Sequence, residues 1–408
     1  MLSLDQALAQ LLQGAAGHAI GQTEQVSTFD ALGRVLAADL CSAIDVPRAD
    51  NSSMDGYALR AAEAGDGAEL PVTQRIPAGA VGQPLAPGSA ARIFTGAPIP
   101  AGADAVLMQE QAQALPGEGL GALRVLAAPA AGDWIRRRGE DVLAGSVVLP
   151  RGARLTPQAL GLAAGVGAAT LAVLRRPRVA LLSTGNELVM PGEPLPPGAI
   201  YNSNRFTLRA LLQAAGCDCT DLGIVPDQLQ ATRAALRAAA RGHDLILSSG
   251  GVSVGEEDHL RAAVQAEGRL ELWQVAIKPG KPLAFGAVRG ADGPEALFIG
   301  LPGNPVSSFV TFLLCVAPLL RALQGADPAL PSGMPLRADF DWPKPDRRRE
   351  FLRVRRNARG GLDLYANQSS GVLTSAVWAD GLVDNPPGHA FGSGDTVRFL
   401  PLSELVWR

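Results

Sequence analysis

RVALLSTGNEL at 178–188 and DLILSSGG at 244–251 decide the fold. Each is a continuous apolar run that breaks into small polar residues and glycine. That is how a strand buried on both faces reads as it enters a tight turn. Between them, Asn202 or Ser203 can cap a helix ending at Gly216, CTDLGIV (219–225) reads as a strand, and 228–241 is helical. Downstream come a helix from about Glu256, strands ELWQVAI (271–277), PLAFGAV (282–288) and ALFIG (296–300), and a helix after Asn304-Pro305. Alternating strands and helices predict an α/β fold with a parallel sheet covered on both faces. Ligands of such sheets bind outside the carboxyl ends of the strands.

The flanks differ. Ser3 and Gln6 form a capping box ahead of Leu4, Leu8, Leu11 and Leu12, so an amphipathic helix opens the chain. Short β-like runs separated by Gly/Pro turns fill 46–138, and a second β-like stretch follows Asp327. The expected division is a discontinuous helical or mixed domain (1–45 with 139–175), a small β domain (46–138), the α/β domain (176–325) and a C-terminal β domain (326–408). The uncharged stretch 155–174 is too rich in Gly and Ala for a membrane span and reads as a short helix, a turn and a strand.

Composition narrows the functional classes. The 408 residues are 47% hydrophobic and 18% charged, ample for buried cores and wrong for wholesale disorder. Net charge is −3, which disfavours a general nucleic-acid or anionic-membrane binder. Four Cys and four His supply neither a disulfide scaffold nor a rich transition-metal site. MLSLDQALAQ has Asp5 and no basic run, as expected of a chain without an export signal. A reducing, cytoplasmic setting is expected.

The chemistry concentrates in loops after strands. Ser249-Gly250-Gly251 and Leu301-Pro302-Gly303-Asn304-Pro305 combine small residues with helix starts, which suits close approach to an anion. Lys278-Pro279-Gly280-Lys281-Pro282 holds two cations three residues apart; they are either a solvated pair or the jaws of an oxyanion site. Glu187, Asp227 and Asp258 sit on neighbouring loops, as helix caps or as acids for Mg²⁺. Gly251-Val252-Ser253-Val254-Gly255 matches a hydrolase nucleophile elbow, but the only His beyond adjacent His259 is His389, outside the α/β segment. Arg347-Arg348-Arg349 opens an arginine-rich strand, open to a charged-edge or a nucleic-acid reading.

Taken in order, DNSSMDGYA, RIFTGAPIP, GADAVLMQE, RRRGED, STGNEL, GGVSVGEED, IKPGKP, GLPGNPVSS, RRREFLRV and QSSGVLTS resemble the MoeA-type molybdopterin molybdotransferases, which include the E domain of gephyrin. The resemblance runs from about Asp45 to Ser375. It implies four domains, with a MogA-like molybdopterin-binding domain third and a small β-barrel last, in an elongated homodimer with active sites built from both subunits. It implies a Mg²⁺-dependent reaction of molybdate with adenylylated molybdopterin that releases AMP, and a possible contact with the adenylyltransferase of the same pathway. Residue by residue it assigns molybdate to Lys278, Lys281, Pro282, Ser307, Arg348 and Ser370. The nucleotide-pterin substrate falls to Thr95, Asp227, Ser249, Gly250, Gly251, Ser253, Pro302, Gly303 and Asn304. Catalysis falls to Asp55, Asp141, Glu187 and Asp258, with Mg²⁺ on Asp258, Asp227 and Glu187. Arg348 is aligned in preference to Arg349, and Ser370 to Ser369. The chain departs from the family at Asn186, usually Asp, and near Asp380, more often Asn.

Overall fold

The computed structural model describes residues 1–251, 259–290 and 295–407. The chain forms two compact units. The larger comprises Met1–Glu24, Gly33–Ala37 and Val173–Arg408; the smaller comprises Gln25–Leu32 and Ala38–Ala172. The first helix, α1 (Leu4–Gly14), has the predicted Ser3/Gln6 capping box, and its buried face of Leu4, Ala7 and Leu11 joins the α/β core.

The larger unit is built on β1 (Arg178–Thr184), α2 (Ser203–Ala214), β2 (Asp218–Val225), α3 (Leu229–Ala240), β3 (Leu245–Ser249), α4 (described over His259–Glu267), β4 (Gly268–Gln274), β5 (Pro282–Val288), β6 (Ala296–Leu301) and α5 (Pro305–Leu323). The sheet order is β2-β1-β3-β6-β5-β4. Alternation along β1 feeds two cores: Val179 and Leu181 face α1, α2 and α5, whereas Ala180 and Leu182 face α3 and α4.

The sheet is not wholly parallel. β2, β1, β3 and β6 are parallel, but β5 runs antiparallel to both β6 and β4. The reason lies in the connections. Parallel neighbours need a crossover of about a dozen residues or more, and the links 275–281 and 289–295 are too short for one.

Among the described residues, α5 is long and apolar enough to cross a membrane, and 83% of that apolar stretch is buried within the protein. A helix apolar all round is what a sheet-covering core element requires. The stretch 155–174 forms helix Pro157–Gly165 and strand Thr170–Leu174, as read from the sequence.

Beyond α5, strand β7 (Arg349–Arg356) anchors a second sheet. Its order runs Ile277–Lys278, β7, Gly381–Asn385, Thr396–Pro401, Met334–Arg337, with Leu362–Leu364 also on β7. A bridge between Ala338 and Leu362 draws the ends together around Leu352, Val354, Val383 and Phe399, giving a small barrel. The smaller unit holds a six-stranded sheet in the order Ala105–Met108, Gly56–Leu59, Ala90–Ile93, Glu69–Ile76, Ala122–Val125, Ala112–Leu115.

Candidate active site

A cleft of about 740 Å³ opens at the carboxyl ends of β1, β2, β3 and β6. Thr184 ends β1 with Gly185 and Glu187 after it, Asp227 follows β2, Ser249 ends β3 with Gly250 and Gly251 after it, and Pro302, Gly303 and Asn304 follow β6. The lysine loop reaches this edge because β5 is antiparallel. Register pairs Ala284 with Gly300, so the start of β5 lies beside the end of β6. In an all-parallel sheet the loop before β5 would lie at the opposite edge.

One end of the cleft is cationic. Lys278, Lys281 and Arg348 line it with Ser307 and Ser370. Arg348 clasps Asp346 through two bonds of 2.9 Å. That clasp, helped by Lys278, holds the Asp346 carboxyl well below the usual carboxylate range against the opposing effect of burial. Asp346 therefore stays ionised across the neutral range, and Arg348 stays fixed. Lys278 Nζ lies 3.2 Å from the fully buried Glu350 and 3.5 Å from Asp346. Glu350 also accepts from Trp342 Nε1 at 2.7 Å. Lys281 has no ion-pair partner among the described residues, so by formal charges this end carries a surplus of one positive charge.

The two arginines at the start of β7 part ways. Arg348 faces the cleft, whereas Arg349 turns away to a bidentate bond with the buried Asp384, both distances 2.6 Å. Arg353 is 1% exposed and has no carboxylate partner among the described residues. It donates to Ser375 Oγ at 3.1 Å and to the carbonyls of Phe351 and Ser369 at 3.2 and 3.3 Å. Burial pushes this guanidinium down to about 10. Its Ser369 bond steadies the 368–370 wall of the cleft, and Val306 N–H, in the first turn of α5, donates to Ser370 O at 3.0 Å.

Gly280 shows how tightly the lysine loop is set. Its φ is +114°, and a Cβ there would sit 2.4 Å from the buried Thr311 Oγ1. Gly280→Ala should cost about 1–3 kcal/mol in backbone strain, with the clash added. A lowered urea midpoint is the expected result; an unchanged midpoint would contradict this geometry.

The other end is acidic, with Glu187 and Asp227. Glu187 folds back over Gly185, where an added Cβ would meet Glu187 Oε2 at 2.7 Å. No group of three His, Cys, Asp or Glu side chains gathers for a metal among the described residues.

This geometry has close counterparts in known proteins. Residues 2–167 match the MoeA N-terminal region (domain I and II), 180–322 a probable molybdopterin binding domain, and 335–402 the MoeA C-terminal region (domain IV). A molybdopterin molybdenumtransferase of Nostoc sp. is 35% identical over 395 residues, covering 93% of this chain and 89% of its own. The chain belongs to the MoeA family. The molybdopterin molybdenumtransferase of Haemophilus influenzae is 45% identical over 326 residues, 80% of this chain and 78% of its own. The crystal structure of the molybdopterin biosynthesis MoeA protein of Pyrococcus horikoshii OT3 superposes with a TM-score of 0.81 at 29% identity, covering 98% of this chain and all of that one.

Of the residues singled out in this MoeA chain, Glu187, Asp227, Ser249, Gly250, Gly251, Lys278, Lys281, Pro282, Pro302, Gly303, Asn304, Ser307, Arg348 and Ser370 share the one cleft. Ser369 lines it too. Ser253 and Asp258 lie outside the described residues. Asp55 and Thr95 meet in the smaller unit, where Asp55 Oδ1 accepts from the Thr95 N–H and hydroxyl, each at 2.8 Å. Those bonds, the backbone one first, lower the Asp55 carboxyl. Asp141 lies in the same unit, its N–H on Val46 O at 3.0 Å. Sequence reading missed Asn204, which ties α2 to the cleft floor through Ser249 Oγ and Gly303 O, both at 2.8 Å. It also missed the counter-charges Asp346 and Glu350. Asp346 is legible as the acid two residues before Arg348; Glu350 was read only as part of the arginine motif.

Proposed function

We propose that this chain is a molybdopterin molybdenumtransferase, inserting molybdenum from molybdate into adenylylated molybdopterin with release of AMP. The names of its MoeA relatives support the transferase and its molybdopterin substrate. The observation that carries the reading is one cleft that joins a cation-and-hydroxyl end to an acidic end. Lys278, Lys281, Arg348, Ser307 and Ser370, with Pro282 holding the loop, suit a tetrahedral dianion. Ser249, Gly250, Gly251, Pro302, Gly303 and Asn304 offer small residues and backbone donors to the nucleotide-pterin, and Ser253 and Asp258 join them through the family motif. Glu187 and Asp227, with Asp258, would hold Mg²⁺. Carboxylates beside a phosphate-shaped site suit a cation that takes its remaining ligands from phosphate oxygens. Bound there, Mg²⁺ would neutralise charge on the phosphoanhydride. The test is transfer itself: the product made by this chain should reconstitute an apo-molybdoenzyme, and failure to do so with intact substrates would refute the reading.

In the same proposal the enzyme is a cytoplasmic homodimer, able to contact the adenylyltransferase that supplies its substrate. Asp55, Thr95 and Asp141 of one subunit then complete the cleft of the other. Mixing Asp55→Ala chains with Glu187→Gln chains should restore part of the activity, because one site in each mixed dimer keeps both acids. A mixture with confirmed subunit exchange that stays as inactive as its parents would contradict composite sites.

A further inference from the structure

The start of α2 carries an unanswered donor. Asn202 is only 2% exposed, and it lines the cleft. Its Oδ1 caps α2 by accepting from Arg205 N–H at 3.1 Å. That leaves Nδ2, with two N–H donors, without a hydrogen-bond partner among the described residues. Buried amides are normally satisfied, and an exception calls for a missing acceptor. The neighbouring amide shows the contrast: Asn204 Nδ2 is doubly bonded, to Ser249 Oγ and Gly303 O.

Three features say what the acceptor is. α2 is a 12-residue helix whose N-terminus meets the carboxyl edge of the sheet, and helix N-termini favour negative charge. Gly250 and Gly251, at the end of β3, adopt φ of +88° and +67°, which leaves backbone without side chains beside that start. Glu187 and Asp227 share the cleft, which fits a phosphate that arrives with Mg²⁺ between itself and the acids. The site is also distinct from the lysine end. Asn202 comes between β1 and β2 in the chain, whereas the lysine loop precedes β5, which is not a neighbour of either strand in the sheet.

We infer that Asn202 Nδ2 and the N-terminus of α2 form a phosphate subsite, which receives the adenylyl phosphate of the substrate while the lysine end receives the oxyanion. The inference rests on the transferase reading for its ligand and adds to it a binding residue and the direction in which the substrate lies. A phosphate oxygen accepts the Nδ2–H bond that the described residues leave unmade. The buried amide then contributes to nucleotide binding as well as to capping.

The test is calorimetry on the full chain, with Mg²⁺ present and AMP and adenosine as probes. The wild type should bind AMP more tightly than adenosine. Asn202→Asp keeps the capping oxygen and turns the donor into an acceptor. It should weaken AMP binding roughly 10- to 100-fold, with adenosine and molybdate binding nearly unchanged. Asn202→Ser keeps a cap and removes the donor without adding charge, and should weaken AMP by a smaller factor. Normal AMP affinity in Asn202→Asp, equal loss of AMP and adenosine, or no AMP binding by the wild type would each overturn the subsite. The two readings separate. A wild type that binds AMP through Asn202 but never releases it from adenylylated molybdopterin refutes the transferase and leaves the subsite standing. An active enzyme whose Asn202→Asp variant binds AMP normally does the reverse.

Discussion

Lys281→Ala should raise the molybdate concentration at half-maximal turnover by roughly 10- to 100-fold and leave AMP binding unchanged. The loss corresponds to one charge-assisted hydrogen bond, about 1.5–3 kcal/mol. Lys281 is chosen because its neighbours are already answered. Lys278 is shared between Glu350 and Asp346, and Arg348 is clasped by Asp346. The surplus charge at that end of the cleft is therefore the one on Lys281, and a dianion entering there should depend on it. Lys281→Arg should recover only part of the affinity, because a planar fork presents its donors differently from a compact ammonium. Sulfate should compete with molybdate in the wild type and compete less well in the alanine variant. Activity measured against molybdate concentration decides the matter, and an unchanged dependence would return Lys281 to the solvated surface.

Glu187→Gln should lower turnover at saturating substrate by roughly 10²- to 10⁴-fold, the range in which a positioned acid–base group contributes. The substitution preserves size and removes charge. AMP affinity measured without Mg²⁺ should therefore stay within a few-fold of the wild type. Where an acid helps chiefly in the transition state, its loss appears in turnover rather than in binding. A variant with normal turnover and weakened AMP binding would make Glu187 a binding residue only. The fold back over Gly185 gives a control: Gly185→Ala should displace the Glu187 carboxylate and lower turnover as well.

Much of this architecture was legible because local and global signals agree. The Ser3/Gln6 box, the apolar runs of β1 and β3, and Asn304-Pro305 at the start of α5 each name their element from the chain alone. The direction of β5 is not legible in its own residues, since a short apolar strand looks the same whichever way it runs; only the short links on either side of it carry that information. The helical period of α1 fixes which face is buried but not which partner covers it. In the cleft, the cations were legible from their proline-framed loop, whereas Glu350 is identified as a counter-charge only by its place beside Lys278. The choice of Arg348 over Arg349 as the residue facing the cleft becomes visible only through Asp384, which draws Arg349 away at the start of β7. The donor on Asn202 could not be found from sequence, because any capping Asn reads alike until its second polar atom is placed.

The central claim is that this one cleft couples oxyanion capture to cleavage of an adenylyl bond. Release of AMP from adenylylated molybdopterin, followed with and without molybdate and Mg²⁺, tests it most directly. Release is expected only when both are present, with the released AMP matched by molybdenum in the product. Equal release in the absence of molybdate, or molybdenum insertion with the adenylyl group left in place, would contradict it.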